Sequence, residues 1–370
     1  MKLLALQLTD WRNIKHALVE LHPRINVFSG DNAQGKTNLL EAVYFLATLR
    51  SFRAGKTEEL IRFERAQAQI RARVERRALE RLLEVTVRPG QRVARVDGKA
   101  VRAAADWFGG FNAVLFSPED LRLPKGSPAA RRRFLDRAVF HAQPGFLKLA
   151  QEYEKLLRSR NALLREAAGA SPEAALLETY DERLSEVGGR IVSERTRYVS
   201  EIGAGFAAAY EAVTHSGLAA QLRYQAAASD AAAIRRALAD GLRRDRARGF
   251  TSAGPHTDDL ELVLEGRSAR LYGSQGQLRA LVLALKIAEI QHLEKRLGET
   301  PVLMLDDVSS ELDPQRNRYL FEFIGGMTCQ CVITTTDPAH ILLTEYRKDF
   351  QVVNGDFQGA NSLYNPGLSC

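Results

Sequence analysis

Apolar positions along the chain change period several times, and each change predicts an element. Leu4, Leu6 and Leu8 alternate with less apolar neighbours, which is the period of a strand. Ile25, Asn26, Val27 and Phe28 form a second short run that ends in Ser29-Gly30. From Thr37 to Leu49 the period becomes helical, carried by Leu39, Leu40, Val43, Phe45, Leu46 and Leu49. Residues 66–102 read as short strands, with turns at Pro89-Gly90 and Asp97-Gly98. Residues 131–213 are rich in Ala, Leu, Glu and Arg, with few breakers outside a Gly169–Pro172 loop. They predict helices at roughly Ala129–Phe140, Gly145–Ala168 and Pro172–Val213. A further basic helix covers residues 230–248.

Strand character returns after Gly249 with LELVLEG, Leu260–Gly266. A long helix follows over Gln275–Leu297, its buried face marked by Leu278, Leu281, Val282, Leu285 and Ala288. PVLMLDD at Pro301–Asp307 and CVITTTD at Cys331–Asp337 are apolar runs of strand length ending in polar residues, as buried parallel strands do. Beyond about Gln358 the chain reads as a loose tail. The outline is α/β. Residues 1–120 and 250–370 form one discontinuous head, with a small β subdomain near 66–102, and residues 121–249 form a mostly helical inserted arm.

Composition adds little to that outline. The 370 residues are 45% hydrophobic and 26% charged, ordinary values for a chain that folds. Lys and Arg number 52 against 45 Asp and Glu, an excess that suits a polyanion partner without demanding one. The three cysteines, Cys329, Cys331 and Cys370, are too few for a disulfide scaffold; Cys329 and Cys331, two apart, read as buried thiols in a reducing compartment. MKLLALQLTDWRNIK carries no long apolar core and no small-residue cleavage site, and no stretch approaches ~20 uninterrupted apolar residues. The expected location is cytoplasmic, with no membrane partner.

The chemistry begins at GDNAQGKT: Gly30, Asp31, Asn32, Ala33, Gln34, Gly35, Lys36 and Thr37. The match to G-x-x-x-x-G-K-[ST] has its required context, a strand before and a helix after. Gly30 and Gly35 let the backbone curl so that successive N–H groups face phosphates. The next helix aims its N-terminus at the same charge. Lys36 reaches the β- and γ-phosphates of ATP, and the Thr37 hydroxyl is a ligand for Mg²⁺. VLMLDD then delivers two carboxylates at the end of a buried strand. Asp306 is placed to hold Mg²⁺, and Asp307 to orient or deprotonate the attacking water. Asp307 and Lys36 are thus the candidate catalytic residues.

The two motifs lie far apart, at 30–37 and 302–307. YGSQGQLRAL stands before the second, and its Ser274, Gln275, Gly276 and Gln277 open a helix. This segment resembles the signature motif of ABC-type ATPases, which contacts the γ-phosphate of ATP held by the opposite subunit. SSELD at Ser309–Asp313 is placed like the D-loop of those ATPases. The resemblance implies an ATP-dependent head-to-tail homodimer in which Ser274–Gln277 act in trans.

GDNAQGKTNLLEAVYFLATLRSFR, FSPEDLRLPKGSPAARRRFLD, AGPHTDD and YGSQGQ together resemble the RecF family of bacterial recombination-repair proteins, relatives of SMC-type ATPases with a short arm. The likeness runs from LxLTDWRNI to QVVNG near residue 355, nearly the whole chain. It implies an α/β ABC/SMC-type P-loop ATPase head with a mostly helical inserted arm. It implies ATP and Mg²⁺ as cofactors, slow ATP hydrolysis and DNA binding. It also implies work with RecR and RecO in loading recombinase at gaps, replication restart and SOS induction. The sequence departs from the wider pattern in four places. Asp307 stands where ABC ATPases often have Glu. Thr336 stands where a switch His is expected. The segment Phe116–Glu119 occupies the Q-loop position without a glutamine. Thr257 stands where Arg is expected.

Basic residues cluster at 121–137 (Arg122, Lys125, Arg131, Arg132, Arg133, Arg137) and at 235–248 (Arg235, Arg236, Arg243, Arg244, Arg246, Arg248). Another group is Arg71, Arg73, Arg76, Arg77 and Arg81. No aromatic residues interleave them for base stacking, so backbone reading of duplex or gapped DNA is expected more than of bare single strand. Arg131, Arg132, Arg133, Arg243 and Arg244 are the candidate DNA contacts. The alternative, a nucleotide-binding subunit of another ABC-type complex such as a transporter, expects a Q-loop glutamine, a switch His and a short gap between P-loop and signature. The sequence has none of these. A nuclease would need an added metal cluster, and the seven His are scattered.

Overall fold

The computed structural model describes residues 1–101, 107–166 and 174–359. The expected Gly169–Pro172 loop, the tail beyond residue 359 and Cys370 lie outside them. Two compact units emerge: Met1–Asp120 with Leu293–Cys370, and Leu121–His292.

The first unit holds two sheets. One is antiparallel, in the order β2-β1-β4-β5-β6-β7: β1 (Lys2–Trp11), β2 (Ile14–Glu20), β4 (Ala68–Arg76), β5 (Leu79–Arg88), β6 (Gln91–Val96) and β7 (Lys99–Ala100). The strands of the small β region expected near 66–102 continue the sheet that β1 and β2 begin. Alternation is offset in β1. Leu3 is buried where Leu4 was expected, because the register with β4 shifts between Leu3 and Ala5. Asp97 and Gly98 both have positive φ, as a two-residue hairpin turn requires. Arg77 and Ala78 do the same between β4 and β5 without any glycine to announce it.

The second sheet runs β15-β14-β3-β13-β12-β8. Its strands are β3 (Ile25–Ser29), β8 (Ala113–Phe116), β12 (Val302–Asp306), β13 (Cys331–Thr335), β14 (Arg347–Val353) and β15 (Asp356–Gly359). All pairings are parallel except the edge pair β14–β15. β3, β12 and β13 are buried along their length, which explains their unbroken apolar runs. The helix Lys36–Thr48 belongs to one apolar cluster with both sheets, and Leu39, Leu40, Val43, Phe45 and Leu46 are sealed within it. Burying each such side chain stabilises the fold by about 1.5–3 kcal/mol.

The second unit is mostly helical: Pro128–Ala142, Phe146–Glu166, Ala174–Thr214 and Ala231–Arg248, with Gln275–Leu297 beginning in it. Ser127 and Asp230 cap two of these helices by accepting from Ala130 N–H and Ala233 N–H. Residues 250–292, expected in the head, belong to this unit. The reason is a three-stranded antiparallel sheet in which β10 (Asp259–Leu264) pairs along its length with β9 (Ala220–Gln225) and also with β11 (Arg267–Ser268). Arg160, fully buried, bonds Asp181 at 2.5 Å, and Asp245 and Thr251 at 2.9 and 3.0 Å. Removing one member of such a buried set costs about 3–5 kcal/mol.

Candidate functional site

The loop after β3 is built around two glycines. Gly30 has φ +153°, and a Cβ there would stand 2.4 Å from the Val352 carbonyl oxygen, which is backbone and cannot yield. Gly35, at φ +113°, would meet only the Asn13 side chain, at 3.0 Å. The turn between β14 and β15 pins the loop from outside. Gly355 N–H donates to the Gln34 carbonyl at 2.8 Å, and Asn354 N–H to Gln34 Oε1 at 2.6 Å. Gly30→Ala is therefore expected to lose about 2–5 kcal/mol in denaturant unfolding, from strain plus overpacking, and Gly35→Ala less. Equal losses would contradict the close approach to Val352.

Lys36 is buried at the start of the helix. Its Nζ donates to the carbonyls of Gly30 at 2.5 Å and Asp31 at 2.7 Å. Burial lowers its pKa, opposed by Asp307, Asp306 and Asp31. Thr37 Oγ1 donates to Asp306 Oδ1 at 2.9 Å. Thr334, from β13, donates to the same oxygen at 2.8 Å. Burial raises the Asp306 carboxyl above its usual range, against those two hydroxyls. The parallel sheet explains the convergence: β13 lies between β3 and β12, so their C-terminal ends meet at one edge. Phe116 pairs with Leu305, so β8 ends beside β12 and Glu119 follows close enough to oppose ionisation of Asp306.

Asp307 adopts a left-handed conformation, φ 51°, with its N–H bonded to the Thr334 carbonyl at 3.0 Å. Its Oδ1 and the Ser309 hydroxyl are buried without a hydrogen-bond partner among the described residues. The oxygen donors of Thr37 and Asp306 suit Mg²⁺, which takes one or two carboxylates and completes its shell with water and phosphate. Among the described residues there is no cluster of three or more His, Cys, Asp or Glu that would hold a metal independently.

Thr334 is not marked in the sequence, because a strand hydroxyl carries no sign of its partner. Nor does the sequence mark the buried carboxylate in the helix Lys36–Thr48. Glu41, fully buried in the helix, takes both a bidentate pair from Arg12 at 2.8 Å and the Ser51 hydroxyl at 2.5 Å.

Ser274–Gln277 lie in the other unit, at the start of the helix Gln275–Leu297. Ser274 Oγ accepts from Gln277 N–H at 3.2 Å, and Gln277 Oε1 accepts from Ser274 N–H at 2.8 Å. That reciprocal pair is a capping box. Ser274 and Gln275 are solvent-exposed, as are Leu271 and Tyr272 just before them. Thr257 closes the turn before β10 through the Gly254 carbonyl, at 2.8 Å from its hydroxyl, a role that needs no charge. Thr336 is exposed after β13. Cys329 and Cys331 are buried and unbridged, their sulfurs 3.6 Å apart.

The basic clusters divide. Arg131 is almost sealed and forms a bidentate pair with Asp259 at 2.7 and 2.6 Å, so this candidate DNA contact is corrected to a structural ion pair. Arg132 is half-buried and Arg133 exposed. Arg243 and Arg244 are exposed, and Arg244 donates to Ser252 at 3.0 Å. In the first unit, Arg71 pairs with Glu84, Arg76 with Glu299 and Arg81 with Asp97.

A family model described as the RecF/RecN/SMC N terminal domain matches residues 2–353. The chain is 46% identical over 348 residues to the DNA replication and repair protein RecF of Myxococcus xanthus, covering 91% of each chain. It is similar to the solved structure of the recombination mediator protein RecF-ATP in the RecFOR pathway, with a TM-score of 0.89 and 30% identity over 97% of both chains. A likeness of fold alone extends to an Smc head domain with an extended coiled coil from Pyrococcus furiosus. There the TM-score is 0.54 and the identity 15%, over 97% of this chain and 95% of the other. The architecture is the expected α/β ABC/SMC-type ATPase fold. No helix among the described residues is long and apolar enough to cross a membrane.

Proposed function

We infer that this chain, which belongs to the RecF family of DNA replication and repair proteins, is an ATP-switched clamp that grips DNA during recombinational repair. The convergence of Lys36, Thr37 and Asp306 at one edge of the parallel sheet carries the reading. The relative solved as RecF-ATP supports ATP as the ligand. Backbone N–H groups of residues 30–37 and the Lys36 ammonium hold the β- and γ-phosphates. Thr37 and Asp306 would hold Mg²⁺, which when bound neutralises charge on those phosphates. Asp307 orients the attacking water. Its carboxylate is one methylene shorter than the Glu of many ABC ATPases, which suits slow hydrolysis.

Ser274–Gln277 present a hydroxyl and a helix N-terminus to the γ-phosphate held by a second copy. ATP therefore joins two copies, and hydrolysis parts them. DNA is held through its phosphates by exposed arginines, Arg243 and Arg244 among them. RecR and RecO are the proposed partners, in keeping with the relative assigned to the RecFOR pathway. The proposed tasks are recombinase loading at gaps, replication restart and support of SOS induction, in the cytoplasm.

Asp307→Asn tests the switch. It removes the water-orienting charge and leaves Lys36 and Asp306 in place. Single-turnover hydrolysis should fall at least ~100-fold, a scale typical of general base catalysis. The ATP-bound DNA complex should dissociate more slowly by a comparable factor. A variant that loses hydrolysis but releases DNA as fast as the parent would contradict a hydrolysis-timed clamp.

A further inference from the structure

A cavity of about 230 Å³ opens in the helical unit, between the helices Pro128–Ala142 and Phe146–Glu166 and the turn at Pro255-His256. Most of its buried polar lining is paired within the protein. Arg195 gives Nε and Nη2 to the two Asp136 oxygens at 2.8 and 3.0 Å, and Nη1 to the Pro255 carbonyl at 2.7 Å. His256 Nε2 faces the Thr251 carbonyl at 3.0 Å, which can only accept, so that nitrogen carries the proton. Nδ1 is then the acceptor for the Tyr153 hydroxyl, at 2.7 Å. Burial lowers the pKa of His256, consistent with a neutral ring. Glu154 is exposed at the cavity wall.

Two cations remain. Arg132 gives Nη1 to the Asp258 carbonyl at 2.7 Å and has no carboxylate within ion-pairing distance among the described residues. Arg133 has neither a hydrogen-bond nor an ion-pair partner among them. Elsewhere in this unit the buried guanidiniums of Arg131, Arg160 and Arg195 are each matched by carboxylates. Arg132 and Arg133 are neighbours on one helix and line one cavity without a direct ion pair among the described residues; Asp259, Asp258 and Asp136 act on Arg132 only through space. Two adjacent guanidinium forks suit a tetrahedral oxyanion. The aromatic residues lining the cavity, Phe146 and Tyr153, are 2% and 4% exposed, so neither offers a ring face to a base.

We propose that this cavity is a seat for a backbone phosphate of DNA, held by Arg132 and Arg133 and blind to sequence. The proposal rests on the reading of the chain as a DNA-binding protein. The test uses the full chain with ATP and a fluorescent duplex of random sequence, with affinity followed by anisotropy across a salt series. The double variant Arg132→Gln, Arg133→Gln should bind ATP and melt like the parent. Its slope of log affinity against log salt should be shallower by about 1–2, since each lost phosphate contact removes about 0.9. Arg132→Lys with Arg133→Lys should restore the slope, because counterion release counts charges. A double Gln variant that binds DNA with the parental slope overturns the seat while leaving the DNA-binding reading intact. A parent that does not bind DNA overturns that reading first. If inorganic phosphate raises the melting temperature of the parent but not of the double Gln variant, while the slopes agree, the cavity takes free phosphate and the DNA assignment is wrong.

Discussion

Lys36→Met is expected to weaken ATP binding by roughly 30- to 4000-fold and, with it, every ATP-dependent property of the chain. The ammonium is buried, so water cannot take over its charge once a triphosphate is present. In the structure Nζ is held by two carbonyls of the loop itself, which aims it across the curve of residues 30–35. Methionine keeps the length and the apolar stem but leaves the phosphate charge unanswered. Losing one partner of a buried, hydrogen-bonded charge pair costs about 2–5 kcal/mol, roughly 30- to 4000-fold in affinity. Titration with a fluorescent ATP analogue reads this directly. The melting temperature should hold or rise, because the substitution also removes a desolvated cation. Parental ATP affinity would contradict the assignment of Lys36 to the phosphates.

Ser274→Arg should separate two functions that Lys36→Met removes together. Ser274 lies in the other unit from the P-loop, at the exposed start of a 23-residue helix, and its hydroxyl caps that helix. Loss of the cap costs only about 1 kcal/mol, so the chain folds. ATP affinity of a single copy should stay within about twofold. The proposed ATP-dependent dimer should vanish, because the long side chain would fill the space through which, in that proposal, the helix N-terminus meets the partner's γ-phosphate. Sedimentation or light scattering with ATP reads the outcome. A variant that dimerises with ATP like the parent would remove Ser274–Gln277 from the in-trans role.

The sequence made the phosphate loop and the strand-borne Asp306 legible because their residue types are dictated by short-range geometry. Gly30 must be glycine against the Val352 carbonyl, and four apolar residues must precede Asp306 to bury its strand. Features set by distant pairing were not legible. Leu3 replaces Leu4 in the core through a register shift against β4. Arg77-Ala78 turns the chain with no turn residue. β9 draws residues 250–292 into the helical unit through β10. Arg131 looked like the middle of a basic surface until Asp259, far along the chain, claimed it. Charge clusters read from sequence are counts; which member is free depends on which carboxylates the fold delivers.

The most direct test of the account is the affinity of the unmodified chain for duplex DNA with ATP and with ADP, each at two salt concentrations. A phosphate-gripping clamp closed by ATP binds markedly tighter with ATP than with ADP, and both affinities weaken as salt rises. An affinity indifferent to the nucleotide would contradict the switch, and an affinity indifferent to salt would contradict the backbone grip.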